Sequence, residues 1–158
     1  MTIEVMKRML TYSPDTGTFQ WTSNAPHKVA GKPANSKDHY GYIRIKISGK
    51  FYKAHQLAWA FTHGEFPNTS IDHINGIPDD NKLCNLRLAD HHMNMQNQRR
   101  ARKDNFLGVL GVSRNGSKYR AEIRADGKKI FLGNHATQEL AHQAYIQAKR
   151  KYHKGCTL

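Results

Sequence analysis

Residues 71–100 read IDHINGIPDDNKLCNLRLADHHMNMQNQRR, and this stretch decides the fold. The segment 71–74 predicts a short strand, because two isoleucines flank a pair of polar residues. A segment rich in Asn, Asp, Gly and Pro then predicts turns, and a second strand follows over 83–88. Asp90 is a suitable N-cap for a helix that runs from about residue 91 into 99–103. The order is therefore strand, long loop, strand, helix.

The polar residues of this stretch predict a metal site. Asp72 and His73 are adjacent, so on a strand their side chains point to opposite faces and can serve different partners. Asn94 lies on the predicted helix, with Asn97 one turn further along the same face. The carboxylate of Asp72 and the amide oxygen of Asn94 form an all-oxygen pair, which suits Mg²⁺, or Mn²⁺ as the alternative, better than zinc. With two protein ligands, most of the metal's coordination shell is left for water and a phosphate.

His73 is the candidate general base. An imidazole with an ordinary pKa of about 6.5 is mostly neutral at neutral pH and can take a proton from an attacking water. Such a group typically contributes about a hundred- to ten-thousand-fold in rate. His55, on a helix predicted over 54–62, and Asn97 are candidates to lie around the site. A hydrogen-bonded structural role is the alternative for His55.

The charge of the chain predicts a polyanionic partner. The 158 residues carry 25 basic and 12 acidic side chains, a net charge of +13. Residues 99–158 hold fourteen basic and four acidic side chains, a net +10, whereas residues 1–98 hold eleven and eight, a net +3. Nucleic acid is the leading partner and an anionic membrane surface is the competitor. The sequence has no basic amphipathic helix with a broad apolar face, which argues against the membrane.

Targeting and cysteine signals are absent from the sequence. No apolar run approaches the length of a bilayer span, and the first four residues do not begin a signal peptide. We expect an intracellular protein that is not secreted, located in the bacterial cytoplasm if a phage encodes it. Cys84 and Cys156 form no CxxC pair, which argues against a disulfide framework and a thiolate zinc site. We expect no small-molecule cofactor, and a monomer or a weak dimer.

The remaining segments predict two domains. Before the deciding stretch, the sequence predicts a helix over 3–10, a strand over 18–21 and a hairpin over 40–53 that has a basic and aromatic face. After it, 108–158 predict three short strands separated by Asn-Gly and Asp-Gly turns, then a helix capped by Thr137. The apolar stripe of that helix contains six residues, which are Leu140, Ala141, Ala144, Tyr145, Ala148 and Tyr152.

Basic residues mark two further candidate surfaces. Between the predicted domains, four cations occupy five positions and either track phosphates or form a solvated helix end: Arg99, Arg100, Arg102 and Lys103. In the C-terminal sheet, alternation places four residues on one solvent-facing side: Arg120, Arg124, Lys129 and Phe131. Arginine can pair with guanine edges, and an aromatic ring can contact a thymine methyl group, so this face is a candidate for binding DNA.

The deciding stretch resembles the HNH (His-Me finger, ββα-metal) endonucleases, in particular the phage and intron-encoded homing type. The resemblance is carried by 71–76, Asn81, 85–87 and 94–97. It implies a general base, two metal ligands and an asparagine that organises the loop, roles that fall by position to His73, Asp72, Asn94 and Asn85. The third letter of the motif is Asn here instead of His, which is a known variant.

The C-terminal segment resembles the plant ethylene-response-factor (Apetala-two) DNA-binding domain, relatives of which occur at the C-termini of phage HNH nucleases. The resemblance is carried by 111–112, 119–124, 130–133, Thr137 and 141–145. It implies that the sheet lies in the major groove, with contacts from Glu122, Arg124, Lys129 and Phe131. In the first strand only Arg114 remains where the plant pattern has several arginines, so the plant target sequence is not implied.

Together these features predict an α+β protein with an N-terminal ββα-metal nuclease domain over 1–100, whose core spans about 68–100. A basic linker over 101–107 and a three-stranded antiparallel sheet packed on one helix over 108–158 follow. The predicted function is metal-dependent endonucleolytic hydrolysis of double-stranded DNA. The alternatives are a non-catalytic DNA-binding protein on an HNH scaffold and a nuclease directed to RNA, because charge does not distinguish the two polymers.

Overall fold

The computed structural model describes residues 1–98, 101–102, 104–153 and 156, and only the backbone of 91–92. Contacts divide the chain into two compact units, Met1–Asp90 and His91–Leu158. The described chain mixes helices with small antiparallel sheets, which confirms the predicted α+β class.

The first unit contains three two-stranded antiparallel sheets and two helices. In chain order its elements are α1 (Ile3–Met9), β1 (Leu10–Ser13), β2 (Thr18–Trp21), β3 (Arg44–Ile47), β4 (Lys50–Lys53), α2 (Ala54–His63), β5 (Ser70–His73), a 3₁₀ turn (Leu83–Asn85) and β6 (Leu86–Ala89). The strands pair as β1 with β2, β3 with β4, and β5 with β6.

Each hairpin of the first unit supplies residues to one shared core. Alternation along β3 buries Ile45 and Ile47 and leaves the residues between them exposed. The buried cluster draws on α1, α2 and strands of all three hairpins, and its members are Met6, Leu10, Phe19, Ala34, Ile45, Ile47, Ala54, Leu57, Ala58 and Leu86. The strands β5 and β6, which carry the motif, are therefore fixed by packing from the N-terminal half of the unit.

The second unit begins with the short helix α3 (His91–Gln96) and continues with β7 (Val112–Asn115), β8 (Lys118–Ala125), β9 (Lys128–His135) and α4 (Gln138–Tyr152). The three strands form one antiparallel sheet in the order β7-β8-β9. The Thr137 side chain accepts a hydrogen bond from the Leu140 backbone N–H and so caps α4. Ala141, Tyr145 and Ala148 of α4 pack against the inner face of the sheet.

Two features of this unit are shorter in the structure than the sequence predicted: the helix that begins at residue 91 and the apolar stripe of α4. The helix predicted to continue into 99–103 ends at Gln96, and the described residues beyond it are a turn or irregular; Asn97, the next residue, is a weak helix former. The apolar stripe of α4 is also narrower than predicted. Leu140 and Tyr152 are 49% and 36% exposed, because the small sheet covers only the central turns of the helix.

The compact units divide ten residues before the predicted linker, so that α3 belongs to the second unit. The division into functional domains at 101–107 stays a prediction. Within the described residues, no helix is long and apolar enough to cross a membrane.

The hairpin of β1 and β2 holds the motif loop by direct backbone contact. Gly17 has φ of +71°, and a Cβ added there would overlap backbone atoms of Asn81 and Lys82. The Leu83 N–H donates to the Pro14 carbonyl over 3.0 Å, and the Tyr12 hydroxyl donates to the Asn81 carbonyl over 2.8 Å. These three contacts make the position of the loop depend on a turn far away in the sequence.

We predict that Gly17→Ala lowers the free energy of unfolding by more than about 3 kcal/mol. Positive φ alone costs about 1–2 kcal/mol for a residue with a Cβ, and the overlap with the loop backbone adds to it. Gly49→Ala is the matched control, since Gly49 has φ of +85° with nothing within 4 Å of an added Cβ. Urea denaturation of both variants measures the difference, and equal losses would show that the close approach is unimportant.

Candidate active site

The strands β5 and β6 place Asp72 and His73 on opposite faces of their sheet. Asp72 is paired across the sheet with Arg87, and His73 with Leu86, which belongs to the core. His73 therefore points inward and is 5% exposed. The predicted divergence of the two side chains agrees with this register.

Asp72 is held by the arginine opposite it. Arg87 Nε and Nη2 donate to Asp72 Oδ2 over 3.0 and 2.8 Å. The Arg87 and Asp72 side chains are 24% and 13% exposed. A charge-assisted pair of this geometry restricts the carboxylate to one orientation.

His73 lies in a cluster of aromatic and amide groups. Its Nε2 is 3.3 Å from Asn81 Oδ1, and its ring centroid lies 5.1 Å from that of His55 and 5.8 Å from that of Tyr42. Burial lowers the pKa of His73 below its ordinary value of 6.5, and the bond to Asn81 and the nearby aspartates oppose that shift. The imidazole is consequently neutral at neutral pH.

Asn85 ties the two ends of the motif loop together. Its Oδ1 accepts from the Asn75 backbone N–H over 2.9 Å, and its Nδ2 donates to Asn75 Oδ1 over 3.0 Å and to the Asp80 carbonyl over 2.7 Å. Asn75 Nδ2 donates to Asp80 Oδ2 over 2.7 Å. These bonds are those of a residue that organises the loop. A direct part of Asn85 in the chemistry stays a prediction.

Asn81 is the site residue to which sequence reasoning gave no role. It is 1% exposed, and its Nδ2 donates to the Asp79 carbonyl over 3.2 Å while its Oδ1 faces His73. Burial raises the pKa of Tyr12, which donates to the Asn81 carbonyl, to about 12, so that hydroxyl stays a donor. The only signal in the sequence was the position of Asn81 within the motif.

The other predicted residues are divided between the units. His55 lies on α2, is buried beside His73, and has a pKa lowered to about 3 by burial and by the charges of His73 and Lys53. It is therefore a neutral ring that packs against the candidate base. Asn94 lies on α3 and Asn97 follows that helix, both in the second unit, with Asn97 7% exposed.

The available ligands suit a metal that is held mainly by water and phosphate. Within the part of the chain that the structure describes, no three His, Cys, Asp or Glu side chains come together as a metal cage. Asp72, in the first unit, offers a carboxylate, and Asn94, in the second unit, offers an amide oxygen; both are hard oxygen donors. Donors of this kind fit a cation such as Mg²⁺ that keeps most of its own coordination shell, and binding of one cation by both residues stays a prediction.

Comparison with known proteins agrees with the motif. Residues 52–96 match the family model for HNH endonucleases. Protein 3.8 of Escherichia phage T7 is 36% identical over 110 residues, which span 66% of this chain and 89% of that protein. The chain belongs to the HNH endonuclease family. The predicted resemblance is thereby confirmed for the nuclease domain, whereas the resemblance of the C-terminal segment to the plant domain stays a prediction.

The fold also resembles that of a solved HNH protein. A structure of the homing endonuclease I-HmuI, described for its DNA binding and cleavage, matches with a TM-score of 0.50 at 20% identity and covers 98% of this chain and 93% of that chain. At this identity the match concerns the fold.

Outside the HNH motif, the outer face of the C-terminal sheet carries five of the ten predicted DNA-binding residues. Arg120, Glu122 and Arg124 alternate with buried residues of β8, and the register pairs Glu122 with Phe131 and Arg124 with Lys129. Arg120 Nη2 lies 2.6 Å from Glu122 Oε1, and its guanidinium lies 5.2 Å from the centroid of the Phe131 ring. Phe131 is 55% exposed among these charges.

The remaining basic residues predicted to bind DNA have different positions. Arg114 is paired with Tyr119, so the alternation of β7 places it on the opposite face of the sheet from Arg120. Arg102 is exposed and lines the same open depression, of about 790 Å³, as Arg114. Arg99, Arg100 and Lys103 lie outside the described residues.

We predict that His55 makes the HNH domain sensitive to acid. Its pKa is about 3 when folded and about 6.5 when unfolded, so the unfolded chain binds more protons between these values. The free energy of unfolding therefore keeps its maximum contribution from His55 above pH 6.5. It falls by up to about 5 kcal/mol as the pH drops toward 3. His73 contributes in the same direction.

Urea titrations across this range measure the loss in the wild type, in His55→Gln and in the exposed-residue control His27→Gln. We expect the free energy of unfolding to fall less steeply with decreasing pH in His55→Gln than in the wild type or in His27→Gln. If His55→Gln does not change the slope of the free energy of unfolding against pH, the buried His55 ring is not the cause of the acid sensitivity.

Proposed function

We propose that this protein is a metal-dependent endonuclease that hydrolyses phosphodiester bonds in double-stranded DNA. The observation that carries the proposal is the arrangement on β5, where a buried neutral imidazole and an oriented carboxylate occupy opposite faces of one strand inside the HNH motif. Hydrolysis needs both groups, a base for water and an anchor for a cation. Water is the nucleophile and His73 its base.

Asp72 and Asn94 are the residues that would hold the divalent cation, most simply Mg²⁺. When bound, such a cation polarises a phosphodiester oxygen and neutralises charge on the leaving group. Arg87 acts on this reaction through Asp72, because its two hydrogen bonds to Oδ2 restrict the way the carboxylate can turn. A single carboxylate in a fixed orientation suits a cation that must also bind substrate.

Asn81 decides which nitrogen of His73 accepts the proton. Because its Nδ2 donates to the Asp79 carbonyl, its amide orientation is fixed and its oxygen faces His73 Nε2. An amide oxygen is an acceptor only, so Nε2 must carry the hydrogen in the neutral ring. Nδ1 then holds the lone pair that takes the proton from water.

The second unit is proposed to bind the duplex. Its outer sheet face combines Arg124 and Lys129 with exposed Phe131, and this combination supports an Apetala-two-like contact with the major groove. Glu122 is paired with Arg120, so Arg120 is partly neutralised and contributes less to phosphate attraction than the other cations. The net +10 of residues 99–158 supports the same partner.

We predict that His73→Ala abolishes nicking of supercoiled plasmid in Mg²⁺ and leaves duplex binding within about twofold. The base is lost, while the cationic surfaces that attract phosphate are unchanged. Gel analysis of plasmid with metal and with chelator measures cleavage, and fluorescence anisotropy measures binding. A wild type that binds DNA without metal-dependent cleavage would show a non-catalytic binding protein; a preference for RNA duplexes would show the RNA-directed alternative.

We predict that Asn81→Leu lowers kcat by about a hundredfold with little change in KM, whereas Asn81→Asp keeps most of the activity. Leucine removes the oxygen that accepts from His73 Nε2, so the ring is no longer held in its Nε2–H tautomer, whereas aspartate keeps an oxygen there. Nitrogen NMR of histidine-labelled protein reports the His73 tautomer directly, with His73→Ala to assign its signals. An Nε2–H population that Asn81→Leu does not change would contradict this role.

A further inference from the structure

The hairpin of β3 and β4 has an exposed face that the nuclease site does not use. The register pairs Arg44 with Lys53 and Lys46 with Phe51, and all four of these residues are exposed. The residues that alternate with them on β3, Ile45 and Ile47, are buried in the core. We call the set Arg44, Lys46, Phe51 and Lys53 the hairpin face.

The cations of the hairpin face are not neutralised by ion pairs. Among the residues that the structure describes, no carboxylate lies within 4.0 Å of Arg44, Lys46 or Lys53, although the charge of Asp38 interacts with that of Arg44. Three cations on one side of a short hairpin repel one another when no partner is present. Their grouping is favourable when an anionic partner covers them.

Phe51 adds an apolar contact at the centre of this charge. Its ring is 53% exposed, with the Arg44 guanidinium 4.9 Å and the Lys46 ammonium 5.4 Å from its centroid. A ring in this position is costly to expose to water but suits contact with sugars or base edges, while the cations around it contact phosphates. The combination favours nucleic acid over a simple anionic surface.

The hairpin face leads directly to the candidate base. Lys53 Nζ lies 5.1 Å from the centroid of the Tyr42 ring, and that ring contacts His73 at 5.8 Å between centroids. Lys53 is also the residue that precedes α2, which carries His55. A polymer bound along the hairpin face therefore lies close to the ring of Tyr42, which packs against His73.

We infer that the hairpin face is a docking surface for double-stranded DNA that guides the substrate to His73. The inference rests on the proposed function and adds a binding surface in the first unit. The B-form major groove admits a two-stranded ribbon, whereas the deep, narrow groove of duplex RNA does not, so DNA is the favoured partner.

The test measures binding of a labelled mixed-sequence DNA duplex by anisotropy, in chelator, over a series of salt concentrations. Arg44→Ala/Lys46→Ala should weaken binding about tenfold or more and reduce the log–log salt slope by about 1.8, since each phosphate contact contributes about 0.9. The matched control Lys28→Ala/Lys32→Ala removes the same charge from exposed positions outside the hairpin face and should leave both quantities near wild type.

Phe51→Ala separates apolar contact from charge. It should weaken binding at least about fivefold without changing the salt slope, because no cation is removed. The inference is overturned if the hairpin and control variants behave alike, or if the hairpin variants weaken binding of an RNA duplex as much as that of DNA. Circular dichroism confirms that the exposed-residue variants are folded.

Plasmid cleavage in Mg²⁺ by the same proteins distinguishes the two proposals. If the wild type does not cleave while the hairpin variants lose affinity, the nuclease proposal fails and the docking surface stands. If the wild type cleaves and the hairpin variants bind and cleave like the control, the docking surface fails alone.

Discussion

The arrangement around the candidate base depends on one buried contact, the hydrogen bond between His73 and the side chain of Asn81. An imidazole buried beside aromatic rings loses its hydration, and the amide oxygen of Asn81 supplies a hydrogen-bond partner to Nε2. Tyr12 and the turn at Gly17 help to hold the loop backbone that carries this oxygen. The N-terminal hairpin therefore supports the candidate active site, although none of its residues is proposed to touch substrate.

The alternation of β5 separates two incompatible environments over adjacent residues. A base that must stay neutral benefits from burial, whereas a metal ligand must stay ionised and near water. His73 points into the core and Asp72 points away from it toward Arg87, so the two side chains enter different environments without a change of strand. A one-residue shift in register would move His73 to the outer face of the sheet and Asp72 to the inner face. The hydrogen bonds of Asn85 within the loop between the strands oppose such a shift.

Much of this could be predicted from the sequence because the signals are local. Turn residues and alternation located the hairpin of β3 and β4 and the strands of the C-terminal sheet, and the adjacency of Asp72 and His73 predicted their divergence. The strand β1 (Leu10–Ser13) was not predicted, so the N-terminal hairpin was missed. The partners that orient them could not be predicted: Tyr12 and Asn81 are 69 positions apart, and the pairing of Asp72 with Arg87 requires the strand register. Where local propensity is weak, prediction was also poor, as in the helix that ends at Gln96, just before Asn97, instead of continuing into 99–103.

The two units each contain a sheet with the same arrangement of side chains on its two faces. On β3 and β4, and again on β8 and β9, one face is packed on apolar residues and the other exposes a phenylalanine among cations. In the first unit this face is continuous, through Tyr42, with the candidate base, and in the second it belongs to a sheet with no catalytic residues of its own. Affinity can therefore be distributed over two surfaces while the chemistry stays on one strand. Such a division lets binding surfaces change without disturbing the buried hydrogen bond on which the base depends.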